Sequence, residues 1–263
     1  MEYNQVHEGV SGAAHDLHDG LEPSYEGAGQ YVTDLYTSKA EQVIGTHNAS
    51  TPLFLYVAFQ APHMDLQEPP AAYMSQYSGR GRVYQAGLRQ DRQATYRAAA
   101  VTALDTGVGR IVDALRTAGM YDNSVIVFTT DNGGVVEGSS NFPLRGRKDT
   151  LYEGGVRGVA WVHSPLLCRS SITTSKLMYI TDWFSTLLSV AGLTSLAPPG
   201  IDSFNMWTAL SRGKSSPRKE IVFNLDQDNY WGTWSAAIRM GPYKLLWGQH
   251  KLLKTQVGLV SSL

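Results

Sequence analysis

The chain has 263 residues, 22 Lys+Arg against 23 Asp+Glu, a formal net charge of −1 and 43% hydrophobic residues. That is enough material for a globular core, and the near-neutral balance gives no basis for a nucleic-acid partner. No apolar run approaches the roughly 18 to 20 residues of a membrane helix, Met1-Glu2-Tyr3-Asn4 begins no signal peptide, and one cysteine, Cys168, excludes an internal disulfide.

In chain order, a polar lead-in bearing Gly and His runs to about Gly29. The apolar positions Tyr31-Val32, Leu35-Tyr36 and Val43-Ile44 predict an amphipathic helix over Tyr31 to Ile44, and Leu53 to Phe59 predicts a strand. After a Pro-rich loop, Val101, Leu104, Val108, Ile111, Val112 and Leu115 recur at three- and four-residue spacing. This predicts a helix from Ala94 to Thr117 with Gly119 as its C-cap. Strands are expected at Ser124 to Thr130 and around Gly158 to His163, and a helix from Thr181 to Ala191 ended by Gly192. The alternation predicts an α/β fold with a mostly parallel sheet flanked by helices. Short strand-like runs over Ile221 to Trp247, separated by Gly232 and by Gly241-Pro242, predict the start of a small antiparallel subdomain. The expected division is therefore residues 1–215 for the α/β domain and 216–263 for the C-terminal subdomain, with no internal repeat.

The chemistry concentrates where the run Val125-Ile126-Val127-Phe128 leaves its strand. Thr129-Thr130-Asp131-Asn132-Gly133-Gly134 is followed by Pro143-Leu144-Arg145-Gly146-Arg147-Lys148 and by Tyr152-Glu153-Gly154-Gly155-Val156-Arg157-Gly158. Asp131 and Asn132 offer a carboxylate and an amide carbonyl, oxygen donors that suit calcium or magnesium better than zinc. The two glycines let the backbone turn sharply. Arg145, Arg147 and Lys148 concentrate positive charge in the same region, and cation plus ammonium is what a charged tetrahedral ester needs during displacement. Taken singly, an Asp-Asn-Gly-Gly run is also a good turn, and a cluster of cations is usually a solvated surface.

With Pro52-Leu53-Phe54-Leu55-Tyr56-Val57-Ala58-Phe59-Gln60-Ala61-Pro62-His63, Leu66-Gln67 and Pro69 upstream and Gly158-Val159-Ala160-Trp161-Val162-His163-Ser164-Pro165 downstream, these blocks resemble the sulfatase family. The similarity is greatest to its arylsulfatase B type, which includes N-acetylgalactosamine-4-sulfatase and arylsulfatases I and J. The resemblance implies an alkaline-phosphatase-like α/β fold and a calcium-dependent sulfuric ester hydrolase that uses formylglycine on a sulfated glycan or aryl sulfate. It implies Asp131 and Asn132 as ligands of one calcium ion. His63 and Lys148 become the catalytic pair that contacts sulfate, with His63 suited to protonating the leaving alcohol. The interval from Asp131 is slightly shorter than in the arylsulfatase B type, which makes Arg147 an alternative sulfate ligand. Arg145 and Arg157 are expected to brace the loop through salt bridges to carboxylates such as Glu153.

Family sulfatases also carry an N-terminal Cys-x-Pro-x-Arg segment whose Cys or Ser becomes formylglycine, and this sequence has none. Cys168 continues as Arg169-Ser170-Ser171, and Ser215-Ser216-Pro217-Arg218-Lys219 has Lys219 where Arg is required and reads as a basic surface loop. The resemblance begins in the middle of a family member. The N-terminal portion, with the aspartates that complete the calcium shell, is therefore expected to be missing, and the chain alone to be inactive. The tail Lys254 to Leu263 matches no expected pattern. A lysosomal or secreted setting is implied, with Asn48-Ala49-Ser50 a compatible glycosylation sequon. One rival function is a phosphate or phosphonate ester hydrolase of the same superfamily; Asn132 speaks against its two-zinc members, where His follows this aspartate. The other is a non-catalytic sulfatase-like binding protein, for which the missing nucleophile speaks. His7, His15, His18, His47 and His163 are expected to be structural or surface residues, Asp105 and Asp182 structural, and Tyr230, Trp231 and Trp234 an aromatic cluster making a core or subdomain contact rather than a sugar platform.

Overall fold

The computed structural model describes residues 2–3, 14–15, 17–63, 68–77, 92–135, 138–225, 227–228, 233–248 and 257–261. They fall into two compact units, residues 1–122 with 136–140 and residues 123–135 with 141–263. Leu66, Gln67, Tyr230, Trp231 and His7, named above, lie outside the described residues.

The first unit opens with two short antiparallel ladders, β1 (Glu2–Tyr3) with β2 (Ala14–His15) and β3 (His18–Asp19) with β4 (Glu22–Pro23). Its body is three helices, α1 (Val32–Thr46), α2 (Ala71–Met74) and α3 (Arg92–Thr117). From α1, Val32, Leu35, Ala40 and Ile44 are buried at helical spacing, and from α3 the buried residues are Ala99, Ala100, Ala103 and Leu104. The buried stripe of α3 is thus built of small residues, whereas Val101, expected on that face, is 49% exposed. A Cβ on Gly107 would stand 2.4 Å from Thr37 Oγ1, so α1 and α3 approach too closely there for any side chain. Spacing located this helix and part of its buried face, since Leu104 is buried and Val108, Ile111, Val112 and Leu115 are half-buried, but it missed the alanine seam, which packs backbones together without the bulk that marks a face as apolar. Arg110 fixes the pair from outside through Glu41, with bonds of 3.0 and 2.5 Å. The expected C-cap holds: Gly119 has φ +68°, and Met120 N–H donates to Leu115 O at 2.9 Å. The segment 136–140 joins this unit at Gly138, whose position leaves only 2.9 Å between an added Cβ and Ala94 N.

Leu53 to Phe59, predicted as a strand, is assigned to no helix or strand, and Phe54 and Tyr56 are 77% and 79% exposed. An apolar, β-prone run specifies a preference; a ladder also requires a neighbouring backbone about 4.8 Å away.

In the second unit, β5 (Ile126–Thr129) pairs antiparallel with β6 (Ala160–His163), with Ile126 opposite His163 and Thr129 opposite Ala160. The cross-strand pair Phe128 and Trp161 stacks at 5.4 Å and 9°. Between these strands lies the short helix α4 (Glu153–Val156), and after them come α5 (Asp182–Val190) and α6 (Trp207–Arg212). Gly192 ends α5 with φ +73°, as expected. The C-terminal strands are β7 (Glu220–Phe223), β8 (Gln227–Asp228), β9 (Thr233–Met240), β10 (Tyr243–Gly248) and β11 (Val257–Ser261). They form an antiparallel sheet of order β11-β10-β9-β7, with β8 also on β9. The antiparallel subdomain is as predicted, and it takes in part of the tail that matched no pattern: Val257–Ser261 is an edge strand on β10. Every strand pair among the described residues is antiparallel, so the parallel pairing expected of the sheet is not among them.

At the start of α5, Asp182 is fully buried and accepts from Arg218 Nε and Nη2, both at 2.8 Å, and from the N–H groups of Tyr179 and Phe204. Arg218 also reaches Asp202 at 2.8 Å and lies over the rings of Phe204 and Tyr179. In the Ser215 to Lys219 segment Ser215, Pro217 and Lys219 are exposed, as in a surface loop, whereas Arg218 is buried and anchors the segment. Local charge density suggested exposure; the carboxylate that draws Arg218 inward is 36 residues away in sequence.

Candidate functional site

The site is a set of turns between β5 and β6, held by backbone hydrogen bonds in which glycine is obligatory. Thr130 N–H donates to Val159 O at 2.9 Å and carries the ribbon one residue past β5. Asp131 and Asn132 follow. Asp131 is exposed, and its Oδ1 accepts from Asn132 N–H at 2.8 Å; Asn132 Nδ2 donates to Gly133 O at 2.9 Å. Gly133 N–H donates to Gly155 O at 2.9 Å, and a Cβ there would sit 1.8 Å from Gly154 O. Gly134 binds the side-chain amide of Asn141 twice, and its carbonyl also accepts from Lys148 N–H at 3.0 Å. Asn132 and Lys148 are thereby fixed relative to one another through two residues of backbone.

The basic stretch is tied down as firmly. Gly146 has φ +90°, Gly154 N–H donates to Arg145 O at 2.7 Å, and buried Thr150 accepts from Arg147 N–H at 3.1 Å while donating to Arg147 O at 2.7 Å. The salt bridges expected from Arg145 and Arg157 to Glu153 are replaced by others. Arg145 lies over the Tyr152 ring at 4.4 Å, and Glu153 is taken by Arg239 and by Lys244, the latter at 2.9 Å. A carboxylate already satisfied by two cations from the C-terminal sheet has little to offer a third. Burial pushes the Lys244 ammonium below its ordinary pKa, with Glu153 acting in the opposite direction.

Asp131, Asn132, Arg147 and Lys148 thus belong to one locally bonded loop system. Asp131 and Asn132 carry oxygen donors and so fit a hard cation in kind, as two of the six to eight ligands calcium takes. Among the described residues, no group of three or more His, Cys, Asp or Glu is placed to hold a metal. His63 lies in the first unit, directly after a cis Ala61-Pro62 bond; its N–H donates to Gln60 O at 3.0 Å, and Pro62 O accepts from Arg97 Nη1 at 3.4 Å. Asn48 is exposed, and its Oδ1 accepts from both N–H and Oγ of Ser50, at 3.0 and 2.8 Å. Cys168 is a free, exposed thiol.

Two features of the site escaped sequence reasoning. Asn141 sits in no motif and gave no signal. Lys244 did give one: in the alternation of β10 it shares a face with buried Leu246, and a charge on a buried face requires a partner.

A family model described as "Sulfatase" matches residues 3–193. Arylsulfatase J of Mus musculus is 37% identical over 235 residues, covering 84% of this chain and 38% of the relative. N-acetylgalactosamine-6-sulfatase of Homo sapiens is 30% identical over 200 residues, covering 74% and 35%. Among solved structures, that of Ps i-CgsB in complex with k-i-k-neocarrahexaose matches with TM-score 0.73 and 29% identity over 92% of this chain and 50% of its own. The putative sulfatase yidJ from Bacteroides fragilis matches in fold, with TM-score 0.72 and 22% identity over 91% and 54%. The chain spans under two fifths of the length of these curated relatives and about half that of these solved structures. With a sulfatase family model matching residues 3–193 and its fold matching solved sulfatase structures over nine tenths of its length, the chain belongs to the sulfatase family.

Proposed function

We propose that this chain is part of a calcium-dependent sulfatase of the formylglycine type that hydrolyses sulfate esters on a sulfated glycan. The observation that carries the reading is the bonding of Asp131, Asn132 and Lys148 into one glycine-locked loop, through Gly133, Gly134 and Asn141. In this reading Asp131 and Asn132 hold the ion, which when bound supplies positive charge to the sulfate oxygens. Lys148, with Arg147 beside it, binds a sulfate oxygen as a point charge, and His63 gives a proton to the leaving alcohol. The glycan substrate is supported by the relatives named N-acetylgalactosamine-6-sulfatase and by the neocarrahexaose in the Ps i-CgsB structure. The reading includes a lysosomal or secreted setting, with Asn48 of the Asn48-Ala49-Ser50 sequon glycosylated.

The sequence holds no Cys-x-Pro-x-Arg, so the residues described here bind and orient but supply no nucleophile. The purified 263-residue chain should therefore turn over a chromogenic aryl sulfate no faster than background with calcium added. It should bind terbium, a luminescent stand-in for calcium, weakly and through Asp131, since only two of the six to eight ligands are among its expected site residues. Turnover above background that vanishes in Lys148→Ala would overturn the first expectation; terbium binding equal in wild type and Asp131→Ala would overturn the second.

A further inference from the structure

We propose that Glu153, gripped by Lys244 and Arg239, is a positioning residue through which the C-terminal sheet sets the geometry of the Asp131 to Lys148 loop. The inference rests on the reading of that loop as the site. Glu153 is mostly buried, with side-chain exposure of 15%, and Lys244 and Arg239 stand at 3% and 16%. Lys244 belongs to β10 and Arg239 to β9, opposite each other in register, so one carboxylate spans two strands of the sheet. Lys244 also lies over the Phe223 ring at 4.5 Å, and Leu151, Tyr152 and Phe223 pack against Ala237 and Leu246. The sheet thus holds residues 151 to 153 by apolar contact and by charge together.

From Glu153 the path to the site is one residue long and has no slack. Gly154 N–H donates to Arg145 O, and Gly155 O accepts from Gly133 N–H. A Cβ on Gly154 would stand 2.3 Å from Gly146 O, one on Gly155 2.2 Å from Thr150 O, and one on Gly133 1.8 Å from Gly154 O. Backbones this close transmit displacement directly, because no side chain lies between them to absorb it. A shift of α4 therefore moves Gly133, and with it Asp131 and Asn132, together with the turn that carries Arg147 and Lys148. Two cations on one carboxylate fix Glu153 more firmly than a single pair would.

The test is amide hydrogen exchange on the full 263-residue chain, comparing wild type with Glu153→Gln, Lys244→Met, Arg239→Gln and the double variant Glu153→Gln/Lys244→Met. Arg239→Gln leaves a neutral Glu153–Lys244 pair, so the fold is kept while one grip is lost. Amides of residues 131 to 157 should exchange about tenfold faster in Glu153→Gln and Lys244→Met, and by less in Arg239→Gln, with Asp182–Val190 unchanged. The double variant should be no worse than Glu153→Gln, since the Lys244 contact is already lost in that single variant. Unchanged loop exchange in Glu153→Gln, additive effects in the double variant, or equal acceleration in Asp182–Val190 would each overturn the proposal. Terbium binding is read on the same samples. Loop exchange that responds as expected in a wild-type chain that binds no terbium would support the positioning role and overturn the calcium reading alone.

Discussion

Asn141 and Gly134 pair as two residues of a ladder would: Asn141 Oδ1 accepts from Gly134 N–H at 2.8 Å, and Asn141 Nδ2 donates back to Gly134 O at 2.9 Å. A side-chain amide here stands in for a backbone strand, and the same Nδ2 reaches Gly146 O at 3.3 Å. Replacing it with Ala leaves one donor and one acceptor of Gly134 without that partner. Asn141→Ala is expected to cost about 1 to 3 kcal/mol in urea unfolding, and Asn141→Asp, which keeps the acceptor and loses the donor, is expected to fall between it and wild type.

Gly133 tests the loop from the other side. With Gly154 O 1.8 Å from where a Cβ would be, Gly133→Ala must push α4 away or break the bond to Gly155. An overpacking cost of about 1 to 3 kcal/mol or more is expected in the same unfolding measurement, together with loss of terbium binding. Wild-type stability in this variant would mean that the turn relaxes freely.

The Asp182–Arg218 pair separates a buried from an exposed ionic contact on one guanidinium. Arg218→Met strands a fully buried carboxylate with two backbone donors, and thermal or urea unfolding should show a loss of about 3 to 5 kcal/mol. Asp202, 68% exposed, should matter little: Asp202→Ala is expected to change stability by less than about 1 kcal/mol.

Lys244 makes a pH prediction whose sign is fixed by burial. Its folded pKa is lowered from the ordinary 10.5, so between the folded value and 10.5 the unfolded chain binds more protons than the folded one. Lys244 therefore contributes increasing stability as pH rises through that window, and is least favourable below its folded pKa. Tyr31 and Tyr73 act oppositely, because burial raises their pKa above 10.0 and their contribution is lost as pH rises. Subtracting the unfolding profile of Lys244→Met from that of wild type should isolate a rising alkaline limb; a flat or falling difference would contradict the burial account.

In a longer sulfatase carrying these residues together with a formylglycine segment, Asp131→Ala should abolish calcium-dependent turnover. Lys148→Ala should lower kcat by about 100- to 1,000-fold, as for a group that stabilises developing charge. Retained activity in either variant, measured with saturating aryl sulfate, would reassign the site.

What was legible in the sequence was local. The helix ends at Gly119 and Gly192, β5 and β6, and the antiparallel C-terminal sheet all follow from spacing and from residues that tolerate positive φ. The motif blocks around Asp131 and Lys148 likewise sit on one loop system. What was not legible depends on distance along the chain. Glu153 was matched to neighbouring arginines, yet its partners lie 86 and 91 residues downstream. Arg218 read as surface charge because Asp182 is 36 residues away. The buried face of α3 includes Leu104 as expected, but most of it is Ala99, Ala100, Ala103 and Gly107, since periodicity marks a helix without saying which neighbour it will meet.

Residues 136–140 belong to the first unit while the residues on either side belong to the second, so the chain crosses between the units after residues 122, 135 and 140. Three covalent tethers follow from that single excursion. A protease cutting at any one crossing leaves residues of one unit on the fragment that carries the other. Nicking at one crossing should therefore show as two bands under denaturing electrophoresis, and no single cut point in the chain yields either unit both whole and free of the other's residues.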